Sequence, residues 1–405
     1  MSIDWRPEDP ATLANPYPLL ARMREEDPCH WSPRMKSWVL TRYDDVKRVC
    51  TEKEQFSSDR LRPFFESLPG PEAARIADII RYLSLWMVFK DPPEHTRLRR
   101  LAAKVFHVRS MQGMRPQAEE ISRWLLERVG DRDEFDFIAE FAGPLPCMVI
   151  MAMLGVPRED LARVKRMSDD MALFIGSSRT SPEKYDTAQA ATHEMAEFFR
   201  ALIERRRAHP GTDLLTELVN ARDGDDRLTE DELIAMCILM LFAGHETTTN
   251  HIANGLLALM RFPGQMAALR ADPGLVNDAV EELLRFDGPS GAQTRVVRTA
   301  HEMHGKTLKE GDRVFMMLNA ANRDPRAYPD PDRLDLKRDA VAHLAFGFGA
   351  HICLGFPLAR TEGQVAFPAV LERFAHIEPA TQAQEWIDSL VFRGMKALPV
   401  RVRRH

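Results

Sequence analysis

The sequence predicts a mainly α-helical chain with a small β-region, on three observations. Residues 114–205 read as strongly helical, interrupted at Gly130, Gly143-Pro144, Gly155–Pro157 and Gly176–Pro182. Residues 227–262 carry the longest helical pattern of the chain. Residues 294–324 alternate apolar and polar side chains around a turn at Lys309–Gly311. At 405 residues the chain has room for two or three average domains or one large one. A hydrophobic content of 44% is ample for a packed core, and a charged fraction of 28% is ordinary for a soluble protein. The net charge of −5 gives no sign of nucleic-acid binding. Five scattered cysteines (29, 50, 147, 237, 353) show no paired spacing, which points to a reducing cytoplasm. The opening MSIDWRPEDP has charges and prolines where a signal peptide or membrane anchor needs an apolar run. Leu233 to Ala243, the longest apolar stretch, is too short to span a bilayer.

Taken in order, residues 1–36 are proline-rich with one short helical pattern, NPYPLLARMREE. SWVLTRYDDVKRVC (37–50) reads as a strand followed by a helix opening near Asp44. Residues 57–90 read as irregular and end in RYLSLWMVFK, where Leu83, Trp86, Met87 and Phe89 offer large apolar surfaces, either to a core or to a ligand. DPPEHTRLRR (91–100) starts a helix, with acid and prolines ahead of its first turn. His95 and Arg99, four apart, share one face of it, while Arg97 and Arg100 point elsewhere as surface charges. The segment 168–185 is glycine- and serine-rich and reads as a loop between helices.

In the long helical pattern, Thr229 and Glu232 form a capping box. Residues 233–243 are apolar on every side, which sends the helix through the interior. Then Ala243-Gly244 is followed by His245, Glu246, Thr247, Thr248, Thr249 and Asn250. A buried glutamate is costly without a partner or a use, so the interruption marks a polar kink or a functional site. VNDAVEELLRF (276–286) sets Glu282 and Arg285 three apart on one helix face. DGPSGAQTR (287–295) is built from small residues. PLARTEGQVAFPAVLERF (357–374) reads as an amphipathic helix bent by Pro368, and LVFRGMKALPVRVRR as a closing hairpin with Leu390-Val391 at its tip.

The stretch with the most chemistry is FGFGAHICLG, residues 346–355. Its three glycines permit close approaches that a side chain would block, and it presents one cysteine just ahead of a helical pattern. A helix start favours the thiolate, the form that binds metals. Such a loop can wrap a planar ligand around a thiolate, and a haem iron matches that design. Cys147 and Cys237, in apolar runs, read as small buried hydrophobes.

The string FGFGAHICLG closely resembles the haem-binding loop of the cytochrome P-450 family, and the likeness runs from about Asn15 to Val402 with the motifs in family order. It implies one domain over residues 1–405, a single large helical fold with the long helix over a haem. Cys353 would be the proximal ligand of haem b, within a loop that includes Phe346, Gly347, Gly349 and Gly355. Ala243, Gly244, Glu246 and Thr247 match the oxygen-activating A-G-x-[DE]-T groove, with glutamate as a tolerated variant of the commoner aspartate. His95, Arg99, Arg295 and His351 would hold the propionates, arginine being suited by its two-pronged hydrogen bonding. Glu282, Arg285 and Arg333 would form a structural network. Trp86, Met87, Ala292, Leu390 and Val391 are the substrate-contact candidates, and 168–185 matches a mobile lid.

The implied activity is that of a cytoplasmic haem-thiolate monooxygenase that activates dioxygen and oxidises a largely apolar small organic substrate. No glycine-rich nucleotide motif or cysteine cluster is present for an internal redox centre, so electrons from NAD(P)H would arrive through a ferredoxin or flavodoxin and its reductase. Arg97, Arg100, Lys104, Arg109 and Arg360 are expected to form a positive patch for that donor. A peroxide-driven peroxygenase or isomerase would tend to lack the acid–alcohol pair. A haem sensor or carrier would need neither that pair nor a substrate loop.

Overall fold

The computed structural model describes residues 3–175, 182–339 and 342–405. The chain gathers into two compact units: Met1–Ser57, Arg115–Leu145 and Thr247–His405 in one, Ser58–Met114 and Pro146–Glu246 in the other. The division falls inside the continuous helix Glu230–Arg261.

All strands among the described residues belong to the first unit. β1 (Cys29–Ser32), β2 (Ser37–Leu40), β3 (Phe56–Ser57), β5 (Ala292–Val297) and β8 (Arg313–Met317) make a sheet in the order β1-β2-β8-β5-β3. β2 runs parallel to β8 and the other neighbours are antiparallel. Trp38, Leu40, Val314 and Met316 pack on the helix Tyr43–Thr51, while Val39, Phe315 and Met317 join Trp5, Leu20 and Met23. Both faces are thus covered, which is why β2 is buried at every position. The hairpin β6 (His301–Met303) and β7 (Lys306–Leu308) precedes the Lys309–Gly311 turn, where Gly311 takes a φ of +85°.

The closing segment differs from the expected hairpin. β10 (Pro399–Arg404) pairs with β9 (Phe374–Pro379) and with β4 (Glu134–Asp136), because distant strands offer it more partners than its own turn does. Arg393 fastens the preceding loop. It donates to Asp287 Oδ1 at 3.1 Å and to the carbonyls of Leu13 and Ala14, and its guanidinium lies 3.3 Å over Trp386. The helix Phe356–Arg373 is not amphipathic: only Glu372 is exposed, since the helices Arg115–Val129 and Val276–Asp287 both pack on it. Pro368 lies inside that helix as expected.

The second unit is helical. Residues 57–90, expected to be irregular, contain three short helices, Leu61–Glu66, Gly70–Arg75 and Ala77–Leu83. Pro63, Pro69, Gly70 and Pro71 cut the segment into pieces too short to show a period. The capping box forms as read, with the Thr229 amide donating to Glu232 at 2.8 Å and the Glu232 amide to Thr229 Oγ1 at 3.3 Å. Arg97 is not a free surface charge. It bridges Asp226 at 2.9 Å and Glu232 at 2.6 Å, which ties the helix Glu94–Ala103 to the start of the long helix. Arg100 and Lys104 pair with Asp223, and Arg360 with Glu281 at 2.6 Å. Four of the five expected patch residues are therefore neutralised by carboxylates that lie far from them in sequence. No helix among the described residues is long and apolar enough to cross a membrane.

Candidate active site

The cysteine loop is built by its glycines. Gly347 and Gly349 both adopt φ of +71°, a conformation side chains disfavour. A Cβ on Gly349 would also stand 2.8 Å from the carbonyl of Cys50. The Cys353 amide donates to the Phe346 carbonyl at 2.9 Å, closing the loop, and the helix starts three residues later at Phe356. Below it, Phe346 lies 6.0 Å from Phe356, and the Arg360 guanidinium sits over both rings. Gly355 has open space around it, the nearest atom to an added Cβ being Cys353 Sγ at 4.0 Å.

The five cysteines separate cleanly. Cys29, Cys50, Cys147 and Cys237 are buried, and Cys353 is exposed. Burial pushes the thiols of Cys29 and Cys147 up to about 12 and that of Cys237 higher still. The Cys50 thiol is also raised by burial, against the opposing charge of Arg295 and a hydrogen bond from the Phe348 backbone. Cys50 thus marks where the buried Arg295 of β5 and the start of the loop meet. His351 closes the single turn Gly349–His351 and is half-buried.

The long helix keeps its interior course up to Leu241 and Phe242, which are buried, and then presents Ala243 as exposed and Gly244 as half-exposed. His245 is buried, and its Nδ1 lies 3.2 Å from Ser168 Oγ. Burial lowers the imidazole to about 3, so it is neutral. The Glu246 side chain is 23% exposed, and its carboxyl is raised to about 7, first by desolvation and then by the charge of Asp169, with Lys165 opposing. Thr247 is half-buried, and Thr248, Thr249 and Asn250 are buried.

His95 is buried and Arg99 half-buried, one turn apart on the helix Glu94–Ala103. Trp86 is a core side chain, stacked 5.9 Å from Phe89 and tilted against Phe242 at 5.7 Å, whereas Met87 is more accessible. Val391 and Ala292 come together in the first unit: the Gly291 amide donates to the Val391 carbonyl at 2.9 Å, and Leu390 is half-buried beside them. Of the segment 168–185, residues 176–181 lie outside the described residues, and helices flank them.

The acidic network forms, with one change of member. Glu282 accepts from Arg285 at 2.7 and 2.8 Å, both side chains being almost wholly buried. The Arg333 side chain stands 66% exposed near Asp335, and only its carbonyl takes part, accepting from Arg285 at 3.3 Å. Arg338 is the second arginine on Glu282, at 3.2 Å and 10% exposed. Its position beyond the Pro329–Asp335 turns, five residues after Arg333, carries no local pattern that would single it out. A further cluster that the sequence did not reveal joins Glu281 to His343 at 3.2 Å and to Arg360. Burial alone would raise Glu281, but hydrogen bonds from His343 and Arg360 outweigh it and bring its carboxyl down to about 2.

These residues fit a haem. One exposed sulfur ends a glycine cradle, and a thiolate presented in that way is a ligand that a haem iron takes.

The comparisons agree with that fit. The cytochrome P450 family model matches residues 26–399. Cytochrome P450 107B1 of Saccharopolyspora erythraea is 40% identical over 404 residues, covering 97% of this chain and 96% of that one. The 6-deoxyerythronolide B hydroxylase of the same organism is 37% identical over 375 residues, 90% of each chain. A solved structure of P450BioI in complex with an acyl carrier protein ligated to hexadec-9Z-enoic acid superposes with a TM-score of 0.90 at 32% identity, covering 97% of this chain and 99% of the other. Matches of that extent carry fold and chemistry together: the chain belongs to the cytochrome P450 family and is a monooxygenase using haem b, dioxygen and NAD(P)H-derived electrons.

Proposed function

We propose that the chain works as one catalytic domain in the cytoplasm and oxidises a largely apolar small organic molecule, with a ferredoxin or flavodoxin and its reductase as separate electron donors. Cys353 would supply the thiolate to the haem iron, with His95, Arg99, Arg295 and His351 on the propionates. The bound haem supplies dioxygen activation, and a thiolate ligand favours oxygen–oxygen cleavage. The observation that carries this reading is the contrast between one exposed cysteine in a glycine loop and four buried ones.

The chain's own groups then divide the work. Glu246 holds a proton near neutral pH in a site of low polarity, as a proton donor at pH 7 should. Thr247, next along the same helix, would pass that proton on through its hydroxyl. Met87, Leu390 and Val391 would shape the apolar wall against substrate. Trp86 and Ala292, both candidates for that wall, are core side chains instead, Trp86 beside Phe242 and Ala292 wholly buried with Trp5, Leu20 and Met23. The 6-deoxyerythronolide B hydroxylase relative supports hydroxylation as the form this oxidation takes.

The test is spectroscopic. Reduced protein with carbon monoxide should show the strongly red-shifted Soret band of thiolate ligation, and a Cys353→Ala variant should lose it. Retention of that band in the variant would remove the ligand assignment. Compounds that shift the haem spin state then identify the substrate.

A further inference from the structure

A second constellation adjoins Glu246. His245 Nε2 makes no hydrogen bond; the carboxylate oxygens near it are Glu246 Oε2 at 3.8 Å and Asp169 Oδ1 at 4.0 Å. These ligand atoms all lie within 4.8 Å of one another. His245 is 1% exposed, and its Nε2 faces two carboxylates without bonding to either. Ser168 and Asp169 are neighbours on the helix Leu161–Ile175, so one turn supplies both the tether for Nδ1 and a carboxylate facing Nε2.

We propose that Asp169, His245 and Glu246 form a binding site for a borderline divalent cation of the zinc type. If Nδ1–H donates to Ser168 Oγ, the lone pair sits on Nε2, which is how metal-ligating histidines are usually held. The neutral imidazole has no proton to give up. One imidazole and two carboxylates, with water in the fourth position, are a zinc donor set. Zinc bonds of about 2.0–2.1 Å put tetrahedral ligand atoms roughly 3.4 Å apart. The two gaps to His245 Nε2 therefore close with about half an ångström of side-chain movement. Asp169, on the surface, is free to move toward Glu246, from which its oxygen lies no more than 4.8 Å. Lys165 bonds the other Asp169 oxygen at 2.6 Å, leaving Oδ1 to the metal while its charge opposes a second cation. This makes the site one for a reversible effector. A cation on Glu246 occupies the lone pairs that would carry a proton, so it should slow turnover; that consequence rests on the proton role proposed for Glu246.

The experiment is calorimetric titration of zinc chloride into the haem-loaded protein, with Asp169→Asn and His245→Gln variants beside it. One zinc per chain should bind the wild type, and binding should weaken at least about tenfold in each variant. Magnesium, which prefers all-oxygen sites, should not compete. Absence of binding, or equal binding by wild type and Asp169→Asn, overturns the proposal. The surface position of Asp169 keeps the test decisive even where His245→Gln fails to fold. Product formation is followed in the same titration. Zinc bound at this site with turnover unchanged would leave the cation site standing and instead refute the proton role of Glu246.

Discussion

Glu246 and Glu282 are both helical glutamates in the interior-facing parts of their helices, yet their surroundings are opposite. Glu282 is saturated: it takes two hydrogen bonds from Arg285, one from Arg338 and one from the Asp335 amide. Glu246 has no hydrogen bond among the described residues, and its nearest basic group is a neutral imidazole 3.8 Å away. The first arrangement fixes a charge and holds loops in place. The second leaves a carboxyl whose proton is easily gained and lost near pH 7. A buried acid with every lone pair engaged serves the fold, and one held back from cations serves chemistry.

The contrast can be broken most forcefully at the saturated end. Glu282→Ala leaves Arg285 as an uncompensated buried charge and should cost about 3–5 kcal/mol, read from urea unfolding. A loss below about 1 kcal/mol would mean the network is not structural. Glu246→Gln should do the reverse, leaving stability within about 0.5 kcal/mol of wild type while turnover falls about 10²-fold. Its carboxyl keeps its proton below about 7 and loses it above, so wild-type turnover should decline as pH rises through 7 and the variant should lack that limb. Thr247→Ala should divert reducing equivalents to hydrogen peroxide with substrate binding intact, and identical pH profiles and coupling in all three proteins would erase the distinction. The smallest effect separates two arginines. Arg338→Ala should cost about 1–3 kcal/mol and Arg333→Ala less than about 0.5 kcal/mol, and the reverse order would restore Arg333 to the network.

What could be read from sequence was what depends on local spacing. The glycines around Cys353, the Thr229–Glu232 box and the Glu282–Arg285 pair are each separated by six residues or fewer, and each has the predicted geometry. The short helices of 61–83 escaped because prolines cut them below a readable period. Arg338 escaped because the path between helices decides which arginine reaches Glu282. Arg97 escaped for a related reason, since its partners lie 129 and 135 residues away. Long-range ion pairs have no signature in a single chain's sequence, so a basic cluster can look free when most of it is paired.

The loop held by Arg393 has a consequence in time as well as in space. The Leu13 carbonyl that it binds lies 380 residues earlier, and Trp5, Leu20 and Met23 are buried against Ala292, Phe315 and Met317. At roughly 5–20 residues per second, a ribosome delivers Arg393 on the order of 20–80 s after Leu13. Until the strands that carry Ala292, Phe315 and Met317 are made, Leu20 and Met23 lack most of their native cover. This segment is made long before the residues that secure it, so its apolar side chains are exposed to chaperones, or to other nascent chains, for much of synthesis.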